Sequence, residues 1–310
     1  MTAASALMTA RPFLKWAGGK SQLLGQLEGH FPPDLCNGEI RRYIEPFVGS
    51  GAVFFKVRQA YPIQEIILAD VNIELILAYR TIQQDVESLV AALSDLQQRY
   101  LTLTEDERRE FFYQVRQQYN QAREQVSVES CQSAWVSRTA QMLFLNRTCY
   151  NGLFRLNAAG AFNVPFGRYT NPRLLDADNL RTVSRLLQGV SINYGDFTAI
   201  ESNVDAATFV YFDPPYRPIS KTARFTSYSR TSFNDTEQLR LAHFYRRLDG
   251  LGAKLMLSNS DPHNLDPGDD FFEQAYAGYR IERVQAGRNI NSQSQKRGPI
   301  SELVILNYLA

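Results

Sequence analysis

Short apolar runs alternating with longer stretches of helical period constrain this chain more than any other feature of it. The runs lie in YIEPFVGSGAVFF (43–55), EIILADV (65–71), VSINY (190–194), TFVYF (208–212), KLMLS (254–258) and ELVILNY (302–308). Strands that alternate with helices build a mostly parallel α/β sheet. Ligands of such an open sheet bind outside the carboxyl ends of its strands. Acids stand at or just past three of those ends, Asp70, Asp196 and Asp213, and they are the first candidates for a site.

The middle of the chain breaks the pattern. From about Asn72 to Gln121 the spacing is helical, with a capped start at Thr104 in TEDE. Residues 134–145 (AWVSRTAQMLFL) form another buried helix, and 146–172 is rich in Asn, Gly, Arg and aromatics, with a hairpin turn at NAAGAF. This middle, residues 82–172, reads as an insertion between 11–81 and 173–310. The formal charge of the whole chain is only +1. Yet seven arginines face two aspartates between Arg138 and Arg185, whereas nine acids face five arginines between Asp85 and Glu129. A basic segment inside a neutral protein is either a solvated face or the footprint of a polyanion.

Other classes are disfavoured. Cys36, Cys131 and Cys149 have neither disulfide-framework nor metal spacing, which points to a reducing cytoplasm. His30, His243 and His263 are scattered, so no metal is expected. No run of about 18 apolar residues exists to span a membrane, and MTAASALMTA lacks the basic start of a signal peptide.

Gly49 and Gly51 in FVGSG would let the backbone turn tightly against a ligand, although Phe54 replaces the third glycine of the dinucleotide fingerprint. With Asp70 at the next strand end placed to hold a ribose, the pattern suits S-adenosylmethionine better than NAD. Asp196 has two readings, an acceptor for an adenine amine or a cap for the following turn. Trp16 and Lys20 in FLKWAGGK likewise belong either to core and solvent, or to a cofactor whose carboxylate Lys20 would pair.

The stretch Asp213-Pro214-Pro215-Tyr216 carries the chemistry. An exocyclic amine on a nucleobase is a poor nucleophile because its lone pair is delocalised into the ring. The Asp213 carboxylate and the Pro214 carbonyl can each accept one amine hydrogen, the prolines fix the carbonyl's direction, and Tyr216 can stack on the base. A base in a duplex must first be flipped out, at a cost of a few kcal/mol. A cytosine-C5 enzyme would need a nucleophilic cysteine, usually after proline, and there is no Pro-Cys pair.

Taken in order, FLKWAGGK, EPFVGSG, LADVN, RTCYNGLFRLN, FNVPFGRY and DPPY resemble the Dam-type DNA adenine-N6 methyltransferases, from about residue 11 to the C-terminus. The resemblance implies a Rossmann-like S-adenosylmethionine-dependent sheet carrying an inserted, mainly helical DNA-recognition domain. It implies methyl transfer to adenine N6 in double-stranded DNA, usually within GATC. Trp16, Lys20, Asp70 and Asp213 match the family's cofactor contacts, and Glu45, Phe47 and the Asp196–Phe197 pair line the same pocket. Tyr150 and Asn151 match residues that enter the duplex, Leu153, Arg155 and Pro165 match base-edge readers, and Lys15 and Tyr169 match contacts to the outer guanine. Arg168, Lys221, Arg224, Lys296 and Arg297 are candidate phosphate partners. Thr148-Cys149 stands where the family has an aromatic and a glycine. A monomer is expected, as part of a restriction–modification pair or alone. The competing expectations are a cytosine-N4 enzyme (Ser in place of Asp213), an RNA or protein-glutamine methylase (Asn there), and a DNA-binding protein without catalysis.

Overall fold

The computed structural model describes residues 9–127, 132–217, 233–286 and 300–309. Cys131, Lys221, Arg224, Lys296 and Arg297 lie outside them. Among the described residues are seven strands: β1 (Arg42–Glu45), β2 (Glu65–Asp70), β3 (Ser191–Tyr194), β4 (Thr208–Phe212), β5 (Lys254–Ser260), β6 (Arg280–Ala286) and β7 (Ile300–Leu306). The α-helices are α1 (Leu24–Glu28), α2 (Asp34–Asn37), α3 (Ala52–Ala60), α4 (Ile73–Gln84), α5 (Val86–Thr102), α6 (Glu105–Gln121), α7 (Gln132–Thr148), α8 (Ala177–Leu187), α9 (Asp235–Gly250) and α10 (Phe271–Ala275). No helix of the described residues is long and apolar enough to cross a membrane.

The strand order is β3-β2-β1-β4-β5-β7-β6. β1 runs parallel to β2 and β4, and β4 parallel to β5, while β7 runs antiparallel to both β5 and β6. The first five positions repeat the order of doubly wound nucleotide-binding sheets, whose winding reverses between the first and fourth strands. The strand ends at that reversal are Glu45 of β1 and Phe212 of β4. Every residue of TFVYF in β4 is buried, as a parallel strand covered on both faces requires. β6 is the strand that the apolar runs do not announce. In RIERVQA the apolar Ile281 and Val284 fall on opposite faces among charged and polar residues, so neither face carries a full apolar stripe, which an edge strand tolerates.

The chain divides into two compact units. The sheet unit comprises Gly18–Val48, Lys56–Val71 and Gly195–Ala310. Its core joins Ile44, Ile67, Val210, Phe212, Leu255, Leu257, Leu303 and Ile305 of the strands to Leu241, Phe244, Tyr245 and Leu248 of α9. α9 starts where the Asn234 side chain accepts from the Glu237 N–H, an N-cap that satisfies one orphan donor.

The helical unit comprises Met1–Ala17, Gly49–Phe55 and Asn72–Tyr194. It is larger than the predicted insertion, because α4, α8 and β3 group with the helices. Gln83 Nε2 of α4 donates to the carbonyls of Leu187 (2.7 Å) and Val190 (2.8 Å), and Arg80 donates to the Ile192 carbonyl. α4 is tied to α7 by a buried pair in which Arg138 Nε and one terminal nitrogen donate to the Glu74 carboxylate at 2.8 and 2.5 Å. The other terminal nitrogen donates to the Tyr119 carbonyl at 2.8 Å. At α6, Thr104 N and Oγ1 both donate to Glu107, the capped start read from TEDE. The NAAGAF turn is also present, with Asn157 Oδ1 accepting from the N–H groups of Ala159 and Ala161 at 3.0 Å.

Candidate active site

In the sheet unit, the parallel strands deliver Glu45, Asp70 and Asp213 to neighbouring carboxyl ends of β1, β2 and β4. The Glu45 carboxylate is buried and accepts from the Tyr43 hydroxyl at 2.9 Å. Gly195 N–H donates to the Asp70 carbonyl at 3.1 Å, so the turn carrying Asp196 is fastened to the end of β2. Phe47 lies 5.4 Å from Phe197, ring to ring, and meets Phe233 edge-on at 5.7 Å. Phe197 belongs to the buried core, and Phe47 and Phe233 are half-buried against it.

Asp213 follows β4 and stands 3.0 Å from the Lys20 ammonium, whose side chain is only 3% exposed. Lys20 also donates to the Tyr216 hydroxyl, lies 4.2 Å from the centre of that ring, and pairs with Glu302 at 3.5 Å. The Tyr216 hydroxyl in turn donates to Glu302. The three protons of Nζ therefore meet three protein acceptors, and a ligand carboxylate would have to displace one of them. Burial pushes the Asp213 carboxyl up to about 6, against the opposing pull of Lys20 and with a smaller upward push from Glu302. A carboxylate held this way is ionised above neutrality yet poorly solvated, which suits an acceptor for amine hydrogens.

The loop itself is held from behind by two amides that no sequence motif announces. Gln238 and Asn259 are fully buried. Gln238 Nε2 donates to the Pro215 carbonyl at 3.0 Å, and Asn259 Nδ2 donates to Gln238 Oε1 at 3.1 Å. Asn259 Oδ1 accepts from the Arg217 N–H at 3.1 Å. Arg217 then closes the loop with ion pairs to Asp235 (2.9 Å) and Asp269 (2.6 Å). Polar residues inside the buried run LMLSNS were the available signal for Asn259, and a lone acid in an apolar strand was the signal for Glu302.

Of its two readings, Asp196 shows the cap. Its Oδ1 accepts from the N–H and hydroxyl of Thr198 at 3.0 and 2.7 Å. Arg240 grips both carboxylate oxygens at 2.9 and 2.7 Å and lies over the Phe197 ring. That fork holds the Asp196 carboxyl well below the usual carboxylate range.

The helical unit gathers the predicted DNA contacts. Tyr150, Asn151, Pro165 and Arg168 are exposed, and Leu153, Arg155 and Tyr169 are half-buried. Asn151 and Arg168 adopt left-handed backbone angles, φ 56° and 52°, the kind of local strain found at functional loops. Tyr150 N–H donates to the Pro165 carbonyl at 2.8 Å. Lys15 Nζ lies 5.1 Å from the centre of the Tyr169 ring. A buried Asn146 fixes the backbone beneath them, accepting from Lys15 N–H (2.8 Å) and donating to the carbonyls of Lys15 and Gly152 (2.9 Å each). Arg155 Nε donates to Asn163 Oδ1 at 2.9 Å, which aims the guanidinium and leaves its terminal nitrogens as a fork. Thr148 and Cys149 are both buried, and burial pushes the Cys149 thiol up to about 12, so it is no nucleophile.

Gly49 and Gly51 are also in this unit, at φ 46° and 71°. A Cβ on Gly49 would press on the Trp16 indole at 3.2 Å, and one on Gly51 would strike the Tyr79 hydroxyl at 2.4 Å. Trp16 stacks on Phe154 at 5.4 Å. The Gly51 position is thus demanded by packing against Tyr79 as well as by the turn.

The sequence of residues 16–290 matches the family described as D12 class N6 adenine-specific DNA methyltransferase. Type II methyltransferase M.MjaIII of Methanocaldococcus jannaschii is 50% identical over 302 residues, covering 97% of this chain and 100% of that protein. Type II methyltransferase M1.LlaDCHI of Lactococcus lactis subsp. cremoris is 34% identical over 300 residues (96% and 95%), and the DNA adenine methylase of Escherichia coli is 33% identical over 296 residues (96% and 95%).

Proposed function

The chain belongs to the D12 class N6 adenine-specific DNA methyltransferase family and methylates adenine N6 in DNA, and from that premise we propose S-adenosylmethionine as donor and GATC in duplex DNA as target. Asp213 carries the reading: it is a partly buried carboxylate just past β4, at the reversal point of the sheet, paired with the buried Lys20. The bound donor supplies a methyl group on positively charged sulfur. The residues of the sheet unit suit such a ligand. Glu45, Asp70 and Asp213 offer carboxylates to its cationic and hydroxyl groups, and half-buried Phe47, backed by Phe197, offers flat apolar surface to its adenine.

The target adenine is flipped from the duplex, at a cost of a few kcal/mol, and its amine is presented to the loop. Asp213 accepts one amine hydrogen and the Pro214 carbonyl the other, which frees the lone pair for in-line attack. Tyr216 stacks on the base, and the Gln238–Asn259 amides keep the loop in register. Residues 82–172 serve as the recognition segment. Exposed Tyr150 and Asn151 enter the duplex, Arg155 reads a guanine edge with Leu153 and Pro165 beside it, and Lys15, Arg168 and Tyr169 hold the flank. The resemblance to the Dam type and the 33% identity to a DNA adenine methylase support GATC. The type II names of two relatives favour a restriction–modification setting. Incubation of purified protein with labelled donor and unmethylated plasmid should give label in N6-methyladenine, and sequencing should place it within GATC. Label in cytosine alone would overturn the chemistry, and a different consistent sequence would overturn the target.

A further inference from the structure

We propose that Glu302 is a positioning residue for the transfer: its carboxylate holds the Tyr216 hydroxyl in place and shares the Lys20 ammonium with Asp213. The inference rests on the methyl transfer proposed above and concerns the same loop. Glu302 comes from β7, the strand inserted antiparallel between β5 and β6, where it stands opposite Ser260 and Val284. Ser260 donates its hydroxyl to the Arg217 carbonyl at 2.9 Å, so this register brings Glu302 alongside the end of the DPPY loop. Its side chain is 15% exposed. A carboxylate this far out of water needs partners, and its Oε2 has two, the Tyr216 hydroxyl and the Lys20 ammonium.

The arrangement does two jobs. The Tyr216 hydroxyl accepts from Lys20 and donates to Glu302, which fixes the hydroxyl end of the side chain. The ammonium lies 4.2 Å from the ring centre, at the hydroxyl end to which it donates. Second, two carboxylates share one cation, leaving a surplus negative charge beside Asp213. Other groups around Asp213 are Tyr43 on β1, Tyr211 on β4 and Tyr216 in its own loop, with Glu45 beyond Tyr43 and Tyr211. Burial does most to hold the Asp213 carboxyl up, Lys20 opposes it, and Glu302 adds the smaller upward push of a like charge.

The test uses the full chain and two variants. Glu302→Gln keeps an oxygen acceptor for Tyr216 but removes the charge, and Glu302→Ala removes both. Carbon-13 NMR of aspartate carboxyl carbons, with Asp213 assigned by Asp213→Asn, gives its titration midpoint without donor or DNA. In both variants the midpoint should fall by more than about 0.3 pH unit. Single-turnover transfer to a GATC duplex at high pH should drop about tenfold or more in Glu302→Ala, and Glu302→Gln should regain most of that loss. An unchanged midpoint in Glu302→Gln, or equal transfer rates in wild type and Glu302→Ala, would overturn the inference. Should Glu302→Ala fail to fold, the near-isosteric Gln variant and its midpoint still decide. A wild-type protein that methylates no DNA adenine would instead sink the proposed function, leaving the NMR result to judge the shared ammonium on its own.

Discussion

The raised carboxyl of Asp213 makes activity and stability run in opposite directions with pH. As an acceptor for amine hydrogens Asp213 must be ionised. With its midpoint at about 6, the ionised share falls from nearly all at about pH 8 to about half at about pH 6 and about a tenth at about pH 5. Single-turnover transfer should follow that curve downward on acidification. Stability follows the other branch. The folded carboxyl binds its proton more tightly than the unfolded one, so its favourable contribution is complete below the unfolded value of 3.8 and is lost as pH rises through about 6. At about 1.4 kcal/mol per pH unit, the rise corresponds to about 3 kcal/mol, an upper bound for a side chain that keeps some solvent contact. Asp176, Asp196, Asp205 and Asp269 are held low by their arginines or hydrogen bonds and act in the opposite sense, losing stability as pH falls. The measurement is therefore a difference: urea unfolding of wild type and of Asp213→Asn, from about pH 4 to about pH 8. The Lys20 partner lost in the variant adds a nearly constant offset, and the pH-dependent remainder belongs to Asp213. A rate that stays flat to about pH 5, or a difference that does not bend near pH 6, would refute the reasoning.

Asp70→Ala should weaken donor binding by roughly 1.5–3 kcal/mol in titration calorimetry, the worth of a hydrogen bond to a charged group, without changing the preferred DNA sequence. Arg155→Ala should lose about 1–3 kcal/mol of discrimination at one base pair when substrates are altered one pair at a time. A uniform loss across all substrates would reduce Arg155 to a phosphate contact. Arg138→Ala leaves Glu74 buried without its counter-charge, and should cost roughly 3–5 kcal/mol in urea unfolding.

The parts of the fold that follow from chain periodicity were legible. β2, β4 and β5 are continuous apolar runs because both faces are covered, and the Thr104 capping box and the Asn157 turn carry their own local chemistry. What escaped depends on contacts between residues far apart in sequence. β6 is an edge strand without a full apolar stripe, and the extent of the helical unit is set by side chains of α4 reaching backbone more than a hundred residues away. At the site, Asp213 and Tyr216 stand in one motif, but Gln238, Asn259 and Glu302 lie 20 to 90 residues beyond it and have no fixed spacing to it. The cap formed by Asp196 was one of its two readings in the sequence, whereas its partner Arg240, from the middle of α9, had no signal there.

The place of β7 in the sheet also bears on how the protein is made. β7 is the last strand in sequence, yet it lies between β5 and β6. While the ribosome is still adding residues beyond β6, the edge of β5 has no neighbour on that side, and β6 is the nearest strand able to take the wrong seat. An open apolar edge of this kind is a template for pairing with other chains. Nascent chains halted before Ile300 should therefore need chaperone protection and form aggregates without it. They also lack Glu302, so the Tyr216 hydroxyl and the Lys20 ammonium are without one of their acceptors until β7 is translated.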